Sequence, residues 1–377
     1  VIPFALLCFA GARNNSENAI AWAKWNYGGI HHEFWNGIYK SLLCPIDGTA
    51  GRLANDLHPD NHTYFGSTRI FEAVPSILNK AILEGGIVNS AIGSLFSYYI
   101  QGETSQNCAG FPTIVKPPRF NITNATIHLE MFNVKHFIAC WDNTKEALSS
   151  HSAWKQIGEY KRWKLFELTT HNGNYVTIPK FHPIPLKTTD WKKNALKWLY
   201  NINAADKPFI LMNPNEPPPI ETSVQSVNEN TFASWLAGIT NNSKSSEICF
   251  KPINTQAVIS EEISDEKIVF KTTALHQPHI IKITWFPNWK VKGAKKVYRV
   301  TPCFLLVYPE KEKVELFYGY ILSDKIGFFF TIIGCLTLLI IALNKTIRLI
   351  KSHSPIYTPA ATASKSDINP CSNKYYD

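Results

Sequence analysis

The sequence lacks the short motifs that mark many catalytic sites. It has no GxSxG, no P-loop and no GxGxxG after a predicted strand, which excludes a nucleophile elbow and the common phosphate-binding loops. It also has no CxxC pair, so a structural zinc site is not expected. We therefore predict a chain that binds no metal and no cofactor.

Cysteines are few and widely spaced. Five of the eight lie between residues 13 and 324: Cys44, Cys108, Cys140, Cys249 and Cys303. An odd number at such wide spacing does not resemble a disulfide framework. This spacing still leaves one or two disulfide bonds as an alternative, and the pairing of Cys44 with Cys108 is the first hypothesis.

Long runs of charge of one sign are also absent. The net charge is +9, but the Lys and Arg residues are spread along the chain, so no nucleic-acid interface is predicted. The basic balance is typical of a soluble surface near an anionic membrane. Hydrophobic residues make up 45% and aromatic residues 13% of the chain, which excludes general disorder. From the length of the chain we expect two or three folded units.

One long apolar run lies near the C-terminus. Residues 326–343 read IGFFFTIIGCLTLLIIAL, which is 18 residues without a charge and long enough for a transmembrane helix. The residues that follow it closely are basic: Lys345, Arg348 and Lys351. The positive-inside rule then predicts that residues 344–377 form a disordered cytoplasmic tail and that residues 13–324 lie outside the plasma membrane.

The first twelve residues are apolar but too few to span a bilayer. They also lack the basic start of a signal peptide. Two interpretations of residues 1–12 stay open, a signal-peptide remnant or the end of a preceding membrane helix. Because the first residue is Val1, we favour a chain truncated at this end.

The first half of the outer region predicts helices and an α/β unit. Residues 13–112 have the least regular pattern, and we expect mixed helix and loop. In residues 113–212, Phe132–Cys140 is a predicted strand, Thr144–Glu159 a predicted helix and Trp163–Leu168 a second strand. This order predicts an α/β unit.

The second half of the outer region predicts strands. Residues 213–248 begin with a proline-rich stretch, and we expect a linker and loop. Residues 249–320 contain short runs of alternating apolar and polar residues, with turns between them. Their even spacing predicts a small β-sandwich. The predicted fold is therefore an α+β extracytoplasmic region, an α/β unit plus a small β-sandwich, followed by one transmembrane helix.

The segment from Lys282 to Gly319 carries a resemblance to a known family. It contains a Trp-Phe-Pro-Asn-Trp run at Trp285–Trp289, a Gly-Ala turn at Gly293, a Tyr-Arg-Val-x-Pro strand at Tyr298–Pro302 and a last strand that ends near Tyr-Gly. This order resembles the C-terminal outer domain of prokaryotic polytopic membrane proteins known as 6-pyruvoyl-tetrahydropterin-synthase-related. They are similar in plan to GT-C glycosyltransferases, which use lipid-linked sugars.

Earlier segments support the same resemblance. AWAKWNYGG at Ala21–Gly29 looks like the family's segment after a membrane helix, and FGSTRIFEAVPSI with ILEGGIVNSAIGSLF looks like its middle region. The resemblance covers about residues 20–345. The chain departs from the family's pattern at Cys303 and Phe304, where the family often has Asn and Leu-like residues; this departure is compatible with a β core.

The resemblance implies an intact protein with more membrane helices before Val1. Its activity would be sugar transfer from a polyprenyl-phosphate donor, with the catalytic carboxylate in an earlier outer loop. No catalytic residue can be assigned in this chain, which we expect to be inactive alone and to cover the membrane domain and hold a glycan acceptor. The histidine triad on zinc that a pterin synthase requires has no His-x-His counterpart here, so that activity is not expected.

Within this region, three aromatic residues are candidates for stacking on a sugar ring: Trp285, Trp289 and Tyr298. Core packing of the same rings is the alternative. His31, His32 and Glu33 are the most ligand-like cluster, but adjacent helical residues diverge and cannot easily share one metal. His276 and His279 lie at a strand entrance, where turn roles are more common. Asp142 ends a predicted strand, where α/β folds often place functional groups.

Two other functions stay open for the whole chain. The first is a single-pass type I surface protein that binds a partner without catalysis. The second is a hydrolase on a membrane tether, which lacks a nucleophile motif. The upstream coding region separates them from sugar transfer, because many hydrophobic spans favour the transferase and a lone signal peptide favours the binding protein. The expected partners are the membrane and a lipid-linked sugar or glycan acceptor.

Overall fold

The protein folds as two units, one that ends at Gly319 and one that begins at Tyr320. The computed structural model describes residues 16–83, 92–105, 115–219, 226–241, 248–255, 257 and 259–352. The hypotheses on residues 1–12, on the tail after residue 352 and on Cys108 lie outside the described residues. Cys44, however, is described and carries a free, exposed thiol, so the predicted Cys44–Cys108 bridge is wrong; Cys140, Cys249 and Cys303 are free as well.

Helices and strands alternate through the described part of the chain. The helices are α1 (residues 16–27), α2 (Glu33–Ile38), α3 (Pro59–Phe65), α4 (Val74–Ile77), α5 (Ser94–Thr104), α6 (Ile122–Met131), α7 (Asp142–Ser150), α8 (Trp191–Leu199), α9 (Glu229–Thr240) and α10 (Leu322–Ser352). The strands are β1 (Arg52–Asn55), β2 (Val134–Ala139), β3 (Trp154–Tyr160), β4 (Trp163–Leu168), β5 (Val176–Thr177), β6 (Ile184–Lys187), β7 (Phe209–Met212), β8 (Val227–Asn228), β9 (Ile259–Ile263), β10 (Lys267–Thr272), β11 (His279–Thr284), β12 (Trp289–Lys292), β13 (Tyr298–Val300), β14 (Phe304–Val307) and β15 (Lys313–Tyr318). This content confirms the mixed α+β class.

The first sheet has the strand order β1-β2-β4-β3. β1 and β2 are parallel, and the other neighbours are antiparallel. The predicted strands at Phe132–Cys140 and Trp163–Leu168 are confirmed as β2 and β4. The predicted helix Thr144–Glu159 is wrong in its second half, because α7 ends at Ser150 and β3 follows. Lys161, at a φ of 53°, turns the chain so that β3 pairs with β4.

Two further sheets form the rest of the first unit. A mixed sheet has the order β5-β11-β14-β13-β7-β6-β8, and an antiparallel sheet has the order β12-β15-β10-β9. Apolar residues of β10, β14 and β15 meet between these sheets, as a small sandwich requires: Ile268, Phe270, Leu305, Val307, Val314 and Leu316. β12 was not predicted, because its alternation covers only the four residues Trp289–Lys292, directly after the turn at Pro287.

The mixed sheet draws its strands from two of the predicted ranges. β5, β6 and β7 belong to residues 113–212, and β11, β13 and β14 belong to residues 249–320. One buried core contacts both the first sheet and the mixed sheet. Residues 213–248, expected as linker and loop, also contain α9, which begins at the capping side chain of Asn228 and buries Phe232 and Trp235 in that core.

α10 is the one element of the second unit that the structure describes. Its stretch Leu322–Arg348 has 27 residues and a mean hydropathy of 2.7, and none of its most apolar window is buried in protein. It includes the predicted residues 326–343. The helix is therefore long and apolar enough to cross a membrane.

A carboxylate of the antiparallel sheet accepts hydrogen bonds from the mixed sheet. Glu261 in β9 accepts hydrogen bonds from the backbone N–H groups of Tyr175 and Val176, at 2.8 and 2.7 Å. These donors lie at the edge strand β5 of the mixed sheet. The neighbouring Glu262 is exposed on the opposite face of β9. Because successive side chains of a strand point to opposite faces, Glu262 is a suitable control position for a substitution of Glu261.

Replacement of Glu261 should destabilise the outer region. Glu261→Ala leaves two backbone donors without their acceptor, and we expect a loss of about 2–4 kcal/mol in the free energy of unfolding. Glu262→Ala should change it by less than about 0.5 kcal/mol. Chemical unfolding of the full chain in detergent, followed by tryptophan fluorescence, measures both. Equal effects of the two substitutions would contradict the assignment.

Candidate functional site

The three predicted sugar-stacking residues are half-buried and lie at separate strand ends. Trp289 begins β12, and its ring meets Tyr318 edge-on at 5.6 Å. Tyr298 begins β13, and its ring meets Tyr308 edge-on at 6.1 Å. Among the ring contacts of the described residues, none joins two of Trp285, Trp289 and Tyr298. Sugar stacking by these residues stays a prediction.

Trp285 takes part in a cation–π stack instead. The guanidinium of Arg299 lies 4.2 Å from the ring centroid of Trp191 and 4.7 Å from that of Trp285. Burial lowers the pKa of Arg299 to about 10. One face of the Trp285 ring is therefore taken by Arg299, and only its remaining surface is open to a ligand.

The histidines singled out in the sequence have local roles. The Nδ1 atom of His32 accepts the backbone N–H of Phe34 and caps α2. His279 is buried between the hydroxyl of Thr272 and the carbonyl of Gln277, and burial lowers its pKa. Within the described part of the chain, no group of three His, Cys, Asp or Glu residues could hold a metal ion.

Asp142 lies at the carboxyl ends of the two parallel strands. It is the first residue of α7, its side chain is 88% exposed, and its carboxylate pairs with Lys145 at 2.6 Å. The hydrogen bond from Lys145 lowers the pKa of Asp142. Asp56, the residue after β1, lies at the same edge of the sheet and was not identified in the sequence.

Asp56 is a buried acid that joins these two strand ends. Its carboxylate accepts the backbone N–H groups of Cys140 and Trp141, each at 2.9 Å. Burial raises the pKa of Asp56 to about 7, although these hydrogen bonds act in the opposite direction. The carboxyl group is thus committed to the backbone and has no cavity beside it among those that the structure describes.

His58 lies beside this acid. Its Nδ1 atom accepts the backbone N–H of Asp60 at 3.0 Å and caps α3, while its ring packs 4.2 Å from the ring of Trp141. Burial, with a contribution from Arg162, lowers the pKa of His58 to about 4. The imidazole is therefore neutral at pH 7, with its second nitrogen as the hydrogen-bond donor.

A cleft of about 730 Å³ lies in the first unit. It lies between α6, the segment after β5, the turn after α8 and the face of the mixed sheet. Its apolar lining includes Ile127, Met131, Ile280 and Phe304. Its charged lining residues are Glu130, Lys180, Asp206, Lys207 and Lys282. This volume is in the range of small-molecule sites, which combine an apolar lining with a few polar groups.

Lys282 is the distinctive polar group of the cleft. It lies in β11, and its ammonium donates a hydrogen bond to the backbone carbonyl of Glu130 at 3.0 Å. Burial lowers the pKa of Lys282 to about 8, the charge of Glu130 raises it, and the charge of Arg52 lowers it. An ammonium has three donors, and among the described residues one of those of Lys282 is used, which leaves two N–H groups for a ligand.

The other charged residues of the cleft are largely balanced. Lys207 pairs with Asp206 at 2.7 Å and donates to the carbonyl of Asn203. Lys180 is exposed at the rim. The lining therefore has three lysines against two acids, and its excess charge is positive. Lys282 could not be identified from the sequence, because its hydrogen-bond partner Glu130 is 152 positions away and the nearby charge of Arg52 is 230 positions away.

Comparisons with family models, curated proteins and solved structures find no match to this chain. The cleft is therefore interpreted from its own chemistry. An apolar surface with an incompletely paired ammonium can bind a small anion that carries an apolar body.

The buried acid predicts a pH dependence of stability. The pKa of Asp56 is raised from 3.8 to about 7 on folding, so the folded state holds more protons than the unfolded state between these values. The contribution of Asp56 to stability should fall as pH rises through this window, by at most about 1.4 kcal/mol per pH unit. The difference in unfolding free energy between wild type and Asp56→Asn measures it.

Asp142→Asn is the control for this measurement. The pKa of Asp142 is lowered, so its contribution is present above its unfolded value and is lost only in more acidic solution. Between pH 4 and 7, about the window in which Asp56 acts, the difference in unfolding free energy between wild type and Asp142→Asn should not change with pH. If the difference in unfolding free energy between wild type and Asp56→Asn also did not change with pH, that result would contradict a buried carboxyl at Asp56.

The amine of Lys282 should be unusually reactive near neutral pH. With its pKa lowered from 10.5 to about 8, a large fraction is the neutral amine at pH 8. Acylation of the full chain at rising pH, read by mass spectrometry, should show Lys282 labelled with a midpoint near pH 8. Lys271, exposed on β10, is the internal reference. A midpoint near 10.5 for Lys282 would contradict its burial.

Proposed function

We propose that this chain is a membrane-anchored binding protein whose cleft holds a small anion with an apolar body. The observation that carries the proposal is the position of Lys282. The residue is half-buried on the wall of a 730 Å³ cleft, and among the described residues its ammonium makes one hydrogen bond, to a backbone carbonyl. A negative ligand would restore the interactions that this charge loses on leaving water.

The anchor in this proposal is α10. Its 27-residue apolar stretch supports a single crossing, and its C-terminal flank carries Lys345 and Arg348. By the positive-inside rule, residues 344–377 are then cytoplasmic and residues 13–324 lie outside the plasma membrane. The binding cleft would face the extracytoplasmic solution.

A phosphate or a carboxylate on an apolar body fits the lining. Lys282 and the rim residue Lys180 supply positive charge, and Ile280 and Phe304 supply an apolar surface. Phosphate accepts hydrogen bonds from several donors at once, which suits the two N–H groups left on Lys282. We propose binding without catalysis, because no group in this lining is paired as a nucleophile and base.

Sugar transfer from a polyprenyl-phosphate donor stays a separate proposal for the intact protein. It rests on the resemblance carried by residues 282–319. In that setting the outer region would hold an acceptor for a catalytic group elsewhere in the protein. The binding proposal does not depend on it, since the cleft is built entirely from described residues of this chain.

Naphthyl phosphate is a suitable probe of the cleft, with naphthol as its neutral analogue and naphthoate as the carboxylate. The full chain in phosphatidylcholine nanodiscs should bind naphthyl phosphate more tightly than naphthol, as measured by fluorescence titration. Lys282→Gln should weaken binding of the phosphate about 10- to 100-fold, because one charge-assisted hydrogen bond contributes about 1.5–3 kcal/mol. Binding of naphthol should hardly change.

Lys271→Gln, on the outer face of another sheet, is the matched control and should bind like wild type. Affinity of the wild type for naphthyl phosphate should also fall as pH rises above about 8, because the ammonium of Lys282 loses its proton. Equal affinity of wild type and Lys282→Gln for the phosphate would overturn the proposal.

A further inference from the structure

Three aromatic side chains lie together at one end of the antiparallel sheet β12-β15-β10-β9. The rings of Phe286 and Tyr318 stack with their centroids 6.0 Å apart, and the ring of Trp289 meets Tyr318 edge-on at 5.6 Å. Phe286 is 40% and Tyr318 41% exposed. We name these three residues the aromatic rim. Their exposed area is continuous, so it is not explained by scattered surface residues.

Backbone hydrogen bonds hold the rim in place. Trp289 and Tyr318 are directly opposite in the β12–β15 ladder. The backbone N–H of Gly319 donates to the carbonyl of Asn288 at 3.0 Å, and that of Tyr318 donates to the carbonyl of Glu266 at 2.8 Å. The rings of Trp289 and Tyr318 therefore stand on paired strand ends, and Phe286 lies in the loop that leads to β12.

The rim and the apolar helix are close to each other in the sequence. β15 ends at Tyr318 and α10 begins at Leu322, so three residues connect them. In the proposed function α10 spans the bilayer. Tryptophan and tyrosine favour the interface between lipid and water, because each ring has an apolar body and a polar tip.

The charges around the rim nearly cancel. Lys267 and Lys290 lie opposite Phe317 in the neighbouring ladders, and Asp265 and Glu266 lie in the turn between β9 and β10. Two lysines against two acids give no net attraction to an anionic surface. A contact made by this end of the sheet would therefore depend on the aromatic rings rather than on charge.

We infer that the aromatic rim lies in the headgroup layer of the bilayer that holds α10, so that the outer region rests on the lipid surface at this edge. The inference rests on the membrane anchoring in the proposed function. Its partner is the zwitterionic phospholipid interface. Trp289 and Tyr318 supply amphipathic rings, and Phe286 supplies an apolar face.

Quenching by lipid tests the inference. The full chain is reconstituted in nanodiscs of phosphatidylcholine, with or without bromine on the acyl carbons nearest the headgroup. The quenched emission of Trp289 is the difference between wild type and Trp289→Phe. Trp235→Phe is the matched control, since Trp235 is buried in a different core. We expect Trp289 to be quenched about threefold more than Trp235.

Two variants separate aromatic contact from charge. Phe286→Ser, at a partly exposed position, should reduce the quenching of Trp289 about twofold, because the rim then has less area for the interface. Lys290→Gln should change it little, and so should replacement of a quarter of the lipid by an anionic phospholipid. Strong dependence on anionic lipid would overturn the inference in favour of electrostatic attachment.

The outcomes also separate this inference from the proposed function. A chain that does not remain with the nanodiscs contradicts membrane anchoring. A chain that remains with them but shows equal quenching of Trp289 and Trp235 overturns the rim contact alone. Binding of naphthyl phosphate is measured in the same nanodiscs and should be unchanged by Phe286→Ser, because the cleft has no residue in common with the rim.

Discussion

The buried guanidinium of Arg52 is the interaction on which the arrangement of the first unit depends. Arg52 begins β1 of the first sheet and donates to the carbonyls of Phe132 and Lys282, at 2.7 and 2.8 Å. Its third partner is the ring of Tyr175, 4.8 Å away, at the edge of the mixed sheet. A charge removed from water must keep its hydrogen bonds, so these partners are held together. The same charge acts on Lys282 and connects the packing of the sheets to the chemistry of the cleft.

Local patterns in the sequence predict much of the fold. The alternation around β2, β4, β10 and β15 identifies these strands, and the apolar run near the C-terminus identifies α10. These features are encoded within a few residues, where periodicity and turn chemistry decide the outcome. The order of the sheets is not encoded in this way, because Thr177 of β5 pairs with Ile280 of β11 and Ile210 of β7 pairs with Val300 of β13, which lie far apart in the sequence. The helix expected at Thr144–Glu159 fails for a similar reason, since pairing with β4 determines the state of β3.

The candidate site is harder to predict than the fold. Asp56 and Lys282 have ordinary sequence neighbours, and their perturbed pKa values arise from burial by distant segments. The three aromatic residues Trp285, Trp289 and Tyr298 carry a clear sequence pattern, but the structure distributes their contacts over separate surroundings. A pattern indicates which side chains are available, whereas desolvation and geometry determine what those side chains can do.

The two edges of the antiparallel sheet β12-β15-β10-β9 have a consequence for self-association. One edge, β12, carries Lys290 and Lys292, and the opposite edge, β9, carries the exposed Glu262. An open strand edge is a template for pairing with another chain. When two copies approach through the same edge, like charges face each other, which disfavours a symmetric dimer built by strand addition.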